Sequence, residues 1–442
     1  MIENKVLLKN ANELFRQKNY QEALNIYIEA SNDKPELKNI IDFNIELCIK
    51  KLGLSKKSIY ELKNHINLKK CSTYNECKKL AIAYRKKIEY NKAVIYWMEC
   101  IKVIKENEIQ DFFVDIKNNL EYFMQQNEFK LIYKLTKALI NKWPNNKLFI
   151  QLQAISLIQL EKYKEAEVVW QFYWNKAIDS NDFVRQTNLK LQNSYFNDSI
   201  FQEYTLDHQK NYKIKQKVCV YTALFGDYDK LQTPVMVDDN IDYICFSNTN
   251  RDIPGWKTIL VDSYENNPIL SNRKYKILPH IYLTNYDYSM YIDANIYLTG
   301  NLNKLISNLI LEDFVAWKHP ERSDIYSELL AIMSNFRHEP KKMIGQYKYF
   351  KKAKVPKNSG MIEACFIWRS HKNSSVSKLM NSWWEFVKEN GNRDQPGLTY
   401  LMWKNDIRPK VFSSKYGNTR KNDFFVKLEH QQSPLSQKNA TK

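Results

Sequence analysis

From the N-terminus to about Asp182, apolar residues recur at helical spacing and glycine is scarce, which predicts successive amphipathic helices. One unit, NANELFRQKNYQEALNIYIEASNDKP, carries Tyr20, Ala23, Tyr27, Ala30 and Pro35. The same skeleton returns at Tyr90, Ala93, Tyr96 and Cys100, and again at Tyr163, Ala166 and Trp170. An eroded copy holds Phe129, Ile132 and Pro144, and residues near 39–72 read as a further degenerate unit. A small residue lets two helices approach while aromatics fill the groove beside it. A unit of this kind cannot bury its own face, so the units must stack.

The pattern breaks after about Ser180. Residues 183–216 lose periodicity, gain Asn, Gln and Lys, and read as a linker. At Lys217 the period changes to that of strands. KVCVYTALFG ends at Phe225-Gly226-Asp227-Tyr228, and a second strand runs from Ile241 to Asn248. A helix follows from Ser271, then a turn at Asn285–Asp287, then a short strand Ser289–Ile292 that stops on Asp293-Ala294-Asn295. This alternation predicts an α/β domain with a largely parallel sheet over 217–430, followed by a flexible tail at 431–442. The expected fold class is therefore an all-α repeat region followed by an α/β domain, with the strand ends at Thr222–Asp227, Ser247–Asn248 and Asp293–Asn295 lining one crevice.

Composition narrows the reading. At 442 residues the chain holds two or three domains, and a 44% hydrophobic share describes a globular protein. No apolar run reaches the length of a membrane span, and MIENKVLLKNANELF lacks the layout of a signal peptide, so a cytoplasmic location is expected. The seven cysteines form no C-x-x-C pair, which argues against zinc and a disulfide framework and predicts buried free thiols. A net charge of +18 suits an anionic partner such as an acidic polymer or the inner membrane face, or reflects lysines that merely solvate helices. No motif supports nucleic-acid binding.

The aromatic-x-x-Ala units, with Phe129 and Tyr163 spaced 34 apart, resemble tetratricopeptide repeats. Such an array offers a concave face for a protein or glycan partner, or serves as a platform. In the second half, YTALFGDYD, DYICFSN, Gly255-Trp256, RKYKILPH, YIDANI, KHPERSDIYSE and RDQ, over roughly Lys217 to Phe412, resemble the TOD/MUCI glycosyltransferase-like family. Its members include plant pectin-synthesis enzymes and bacterial proteins of surface-polysaccharide loci. The resemblance implies a GT-A-like, Rossmann-type fold and a nucleotide-sugar donor, with UDP as the expected nucleotide.

By that resemblance Asp293 and Asn295 would hold a divalent cation, Mn²⁺ or Mg²⁺, with His430 as a third ligand. Asn295 departs from the commoner D-x-D and brings less charge. Arg273 and Lys276, one helical turn apart, would meet the diphosphate. Thr222, Phe225, Asp227 and Tyr228 would line the nucleoside pocket, and Asn358, Ser359 and Gly360 the transferred sugar. His319, Arg322, Tyr326 and Glu328 crowd into HPERSDIYSE and would recognise sugar or acceptor, unless they are an ion-paired helix surface. Asp394 and Gln395 open a helix. The family spacing makes them catalytic or sugar-binding together with Asp293, and helix capping is the rival reading of Asp394. The activity so implied is sugar transfer onto a surface polysaccharide or its lipid-linked precursor, with retention as the outcome the plant members imply. A scaffold that has lost catalysis is the alternative.

Overall fold

The computed structural model describes residues 2–30, 38–53, 70–180, 201–206, 214–226, 229–334, 339–391 and 393–430. It divides into two compact units, residues 1–166 and 167–442.

Among the described residues the first unit is helical, as the hydrophobic period requires. These are α1 (Ile2–Arg16), α2 (Tyr20–Ala30), α3 (Lys38–Leu52), α4 (Tyr74–Lys86), α5 (Tyr90–Val103), α6 (Ile109–Gln125), α7 (Phe129–Lys142), α8 (Lys147–Gln159) and the start of α9 (Tyr163–Ser180). The repeat is written in the backbone as well as in the side chains. Lys18, Ile88, Asn127 and Glu161 all have positive φ, and each stands two residues before Tyr20, Tyr90, Phe129 or Tyr163. At each turn the following N–H reaches back five residues: Asn19 to the Leu14 carbonyl, Glu89 to Tyr84, Glu128 to Phe123 and Lys162 to Leu157, at 2.8–2.9 Å. This is the left-handed helix stop usually given to glycine, made here four times without one. Ala23, Ala93, Ile132 and Ala166 are buried, as are Tyr27, Tyr96 and Trp170. The degenerate unit at 39–72 includes α3, and its residues 54–69 lie outside the described residues.

One expectation is corrected. Cys71 and Cys77 form a disulfide, while Cys48, Cys100, Cys219, Cys245 and Cys365 are buried free thiols. The bend before α4 carries Cys71 back over the helix's first turn, so the two Cα atoms come within 5.4 Å. That separation lies within the usual range for a disulfide.

The second unit is an α/β domain. Its eight-stranded sheet has the order β1 (Gln202–Tyr204), β9 (Lys410–Phe412), β7 (Phe314–Lys318), β8 (Ile362–Ser370), β5 (Tyr288–Ile292), β2 (Val218–Leu224), β3 (Ile241–Ser247), β4 (Lys257–Leu260). All neighbours are parallel except β8, which runs antiparallel to both β5 and β7. A two-stranded antiparallel pair joins β6 (Ile296–Leu298) to β10 (Phe425–Lys427). β1 lies in the stretch read from sequence as linker and adds an edge strand beside β9. β2 is buried along its whole length, as expected of a strand covered on both faces. Leu224 pairs with Ser247, and Tyr221 with Tyr291, so the carboxyl ends of β2, β3 and β5 fall along one edge. Asp293 follows β5 at that edge.

Candidate functional site

Helix α10 (Pro268–Ile277) is placed by its two ends. Asn267 caps its start, accepting from the N–H groups of Ile269 and Leu270, and Pro268 opens its first turn. Its end is held by Arg369, a wholly buried guanidinium that donates to the Lys276 carbonyl at 2.8 Å and the Ile277 carbonyl at 3.3 Å. Tyr221 donates to the same Lys276 carbonyl and accepts from Arg369. A cation suits the negative end of a helix, and Leu278-Pro279 prevents the helix from satisfying those carbonyls itself.

From this helix Lys276 reaches Asp394 at 2.7 Å and Asp293 at 3.5 Å, and Arg273 Nε stands 3.3 Å from Asp394. The Lys276 and Asp394 side chains are only 3% and 5% exposed, whereas Asp293 is 27% exposed and open to a ligand. Tyr291 donates to Asp293 at 3.0 Å. Burial alone would raise both carboxyls. Arg273, Lys276 and Arg393 outweigh it and hold Asp394 far below the usual carboxylate range, and Lys276, Lys427 and Arg273 lower Asp293 in the same way. Asp394 stands at the start of helix α11 (Asp394–Lys404), and its carboxylate is spent on ion pairs with α10. Gln395 accepts from the Ala364 N–H at 3.1 Å, in the stretch where the β7–β8 register is irregular.

Asn295 lies under the C-terminal segment. Its side-chain N–H donates to the Leu428 carbonyl, and its own carbonyl accepts from the Leu428 N–H, both at 2.8 Å. Its side-chain oxygen is buried without a hydrogen-bond partner. Asp293 and this oxygen thus fit a hard cation with two ligands. His430 pairs with Asp229 at 2.8 Å, and no group of three His, Cys, Asp or Glu side chains able to hold a metal occurs among the described residues.

A second cluster lies along the loop after β7. His319 accepts the N–H groups of Glu321 and Arg322 on Nδ1 and turns Nε2 toward Glu328 at 3.8 Å. Burial keeps this imidazole below its ordinary pKa, although the Glu328 and Glu363 carboxylates pull the other way. Glu328 is further paired with Arg393 at 3.1 Å and Arg322 at 3.8 Å. Tyr326 is buried with its hydroxyl on the Val355 carbonyl. Asn358 and Gly360 both have positive φ, the Asn358 N–H is held by Asp324 at 2.8 Å, and a side chain at Gly360 would collide with the Phe201 ring. Ser359 has a buried hydroxyl without a hydrogen-bond partner.

The structure thus brings together Arg273, Lys276, Asp293, Asn295, Asp394 and Gln395, and separately His319, Arg322 and Glu328. Thr222 is buried on β2, and Phe225 stacks on Tyr275, which stacks in turn on Phe246. Asp227 and Tyr228 lie outside the described residues. Sequence reading passed over Glu363, Arg369, Arg393, Arg420 and Lys427. The available signal was a Glu and an Arg inside the apolar run IEACFIWRS, since charges in a buried central strand require partners.

No curated protein matches the chain. Residues 246–430 match the family model described as TOD1/MUCI70, glycosyltransferase-like domain. The match begins within β3 rather than at Lys217, and it runs past Phe412 to end at His430. It takes in α10, Asp293–Asn295, the His319–Glu328 loop, Asp394–Gln395 and the C-terminal segment. Over residues 246–430 the α/β unit of this chain is therefore similar to the TOD1/MUCI70 glycosyltransferase-like domain.

Proposed function

We propose that the chain is a glycosyltransferase that moves a sugar from a nucleoside-diphosphate donor, with UDP the expected nucleotide, onto a surface polysaccharide or its lipid-linked precursor at the cytoplasmic side of the membrane. The observation that carries this reading is the ion cluster at the carboxyl edge of the sheet, in which buried Lys276 and Asp394 meet half-buried Arg273 and Asp293. Two cations fixed on one helix offer a diphosphate the partners that the carboxylates now occupy. Asp293 and Asn295 would hold a divalent cation, which when bound neutralises charge on the departing diphosphate. Asp394 stays ionised beside Arg273 and Lys276, suiting it to stabilise positive charge at the reacting sugar or to anchor a hydroxyl. The unpartnered Ser359 hydroxyl suits a sugar ligand, and the His319–Glu328 cluster an acceptor. The helical repeats would hold a protein or glycan partner, and the net charge of +18 favours an acidic polymer or membrane face.

The test is thermal unfolding with UDP, GDP, CMP or ADP, each with Mn²⁺ or EDTA, on wild type and Asp293→Ala. A nucleotide at a hundred times its dissociation constant adds about 2.7 kcal/mol. The expected result is a shift with one nucleotide, dependent on metal and lost in the variant. No shift with any nucleotide would overturn the reading in favour of a non-catalytic scaffold.

A further inference from the structure

Beyond Phe412 the chain returns across the carboxyl edge of the sheet as a hairpin, and one buried carboxylate holds it there. Glu363, in the central strand β8, receives the Thr419 hydroxyl on one oxygen. Its other oxygen receives Arg420 at 2.9 Å and Lys427 at 2.7 Å. All three donors come from the hairpin, whose own N–H at Lys427 closes on the Arg420 carbonyl at 2.9 Å. The same hairpin grips Asn295 through both bonds to Leu428 and meets the loop after β2 through His430 and Asp229. Its own Phe424 and Phe425 are buried, and its backbone passes so close to Gly300 that a Cβ there would lie 2.2 Å from the Asp423 carbonyl oxygen. A wholly buried carboxylate with three donors from one segment is expensive to build unless the segment must be held in place.

We propose that Glu363 is a positioning residue: it clamps the hairpin Thr419–His430 over the strand end, and the hairpin in turn sets the orientation of Asn295 beside Asp293. The proposal rests on the donor-site reading above for its effect on nucleotide binding, but not for the clamp itself. Glu363 touches no substrate in this scheme. It acts through Lys427, Arg420 and the backbone of Leu428.

The test uses the full chain and three variants: Glu363→Gln, Glu363→Asp and Gly300→Ala, the last displacing the hairpin without touching the carboxylate. Hydrogen exchange at the Leu428 amide reads the clamp directly. It should accelerate in Glu363→Gln and Gly300→Ala and recover in Glu363→Asp, while amides of helices α5 and α6 stay unchanged. Binding of UDP should weaken by about 10–100-fold in the first two variants, the usual cost of removing a supporting partner, with uridine binding unaffected. Unchanged Leu428 protection in Glu363→Gln would overturn the proposal, whatever nucleotide does. Equal losses for UDP and uridine would also overturn it, by showing general disorder. If wild type binds no UDP, the donor-site reading fails while Leu428 exchange still decides the clamp. Should Glu363→Gln not fold, Lys427→Met, which removes one of the three donors to the carboxylate, carries both measurements.

Discussion

The two units of this chain treat charge in opposite ways. In residues 1–166 the buried polar side chains among the described residues are Asn119, Thr136, Gln151 and Ser156, none of them charged. Its ion pairs include Lys92–Glu89, Lys102–Glu99 and Lys162–Glu165, each three residues apart on one helix surface. In the α/β unit Lys276, Asp324, Glu328, Glu363, Arg369 and Asp394 are all buried. Their partners lie far away in sequence, as in Lys276–Asp394 and Lys427–Glu363. Surface pairs contribute little and cost little, whereas a buried charge brings a desolvation penalty of several kcal/mol that packing alone would avoid. The repeats are therefore stabilised by shape, whereas the α/β unit carries the cost of burying paired charges.

The sharpest way to break this contrast is Asp394→Asn. It keeps the shape but leaves Lys276 and Arg273 partly uncompensated in a buried site. Sugar transfer, or hydrolysis of the donor, should fall by about 10²–10³, and stability by about 3–5 kcal/mol. Denaturant unfolding and a steady-state rate measure the two losses. Full activity in the variant would reduce Asp394 to an ion-pair strut. The matching change in the repeats is Trp97→Ala, because Trp97 is a buried uncharged ring packed beside Phe112. It should cost about 3–5 kcal/mol, read as lost exchange protection in α5 and α6.

Acid separates the units next. Burial alone would raise Glu363, but Lys427 and Arg420 dominate and pull its carboxyl from 4.5 down to about 2. A depressed folded pKa stabilises the fold above about pH 4.5, and that stability drains away as pH falls toward 2. The amount is on the order of 3 kcal/mol. Asp293, Glu328 and Asp394 are lowered too and act in the same sense. Amides of β8 should therefore lose protection between pH 4.5 and 2 faster than those of α5. Parallel loss in both would mean that the buried carboxylates are not ion-paired in solution.

The same contrast explains what could be read without coordinates. The helical period, the recurring aromatic-x-x-Ala and the strand ending on Asp293 are local patterns, and they located the repeats and the sheet edge, whereas the ion pairs of Arg273 and Lys276 with Asp394 were not among the readings. Glu363 was missed because its meaning lies in Thr419, Arg420 and Lys427, more than fifty residues away. A lone Glu in an apolar run gives no hint of which cations will meet it. Cys71–Cys77 was missed for the reverse reason: the pair is local, but its closure depends on a bend before α4 that spacing does not reveal. β1 was hidden by its length, since three residues at a sheet edge carry too little periodicity to stand out from a linker.

The smallest effect tests whether the repeats are held by shape even where their backbone is strained. Ile88 has φ near 63° in the turn between α4 and α5, and its side chain is 71% exposed. A β-branched residue in the left-handed region crowds its own backbone, at a cost of about 1–2 kcal/mol. Glycine would remove that crowding and lose only the exposed side chain, while giving back up to about 1 kcal/mol through a freer unfolded chain. Ile88→Gly should thus stabilise the protein by roughly 0.5–1 kcal/mol, seen as a higher midpoint in urea with an unchanged slope. A loss instead would mean that Ile88 supplies packing that its exposure conceals. The repeats would then depend on this turn's side chain as the α/β unit depends on its buried charges.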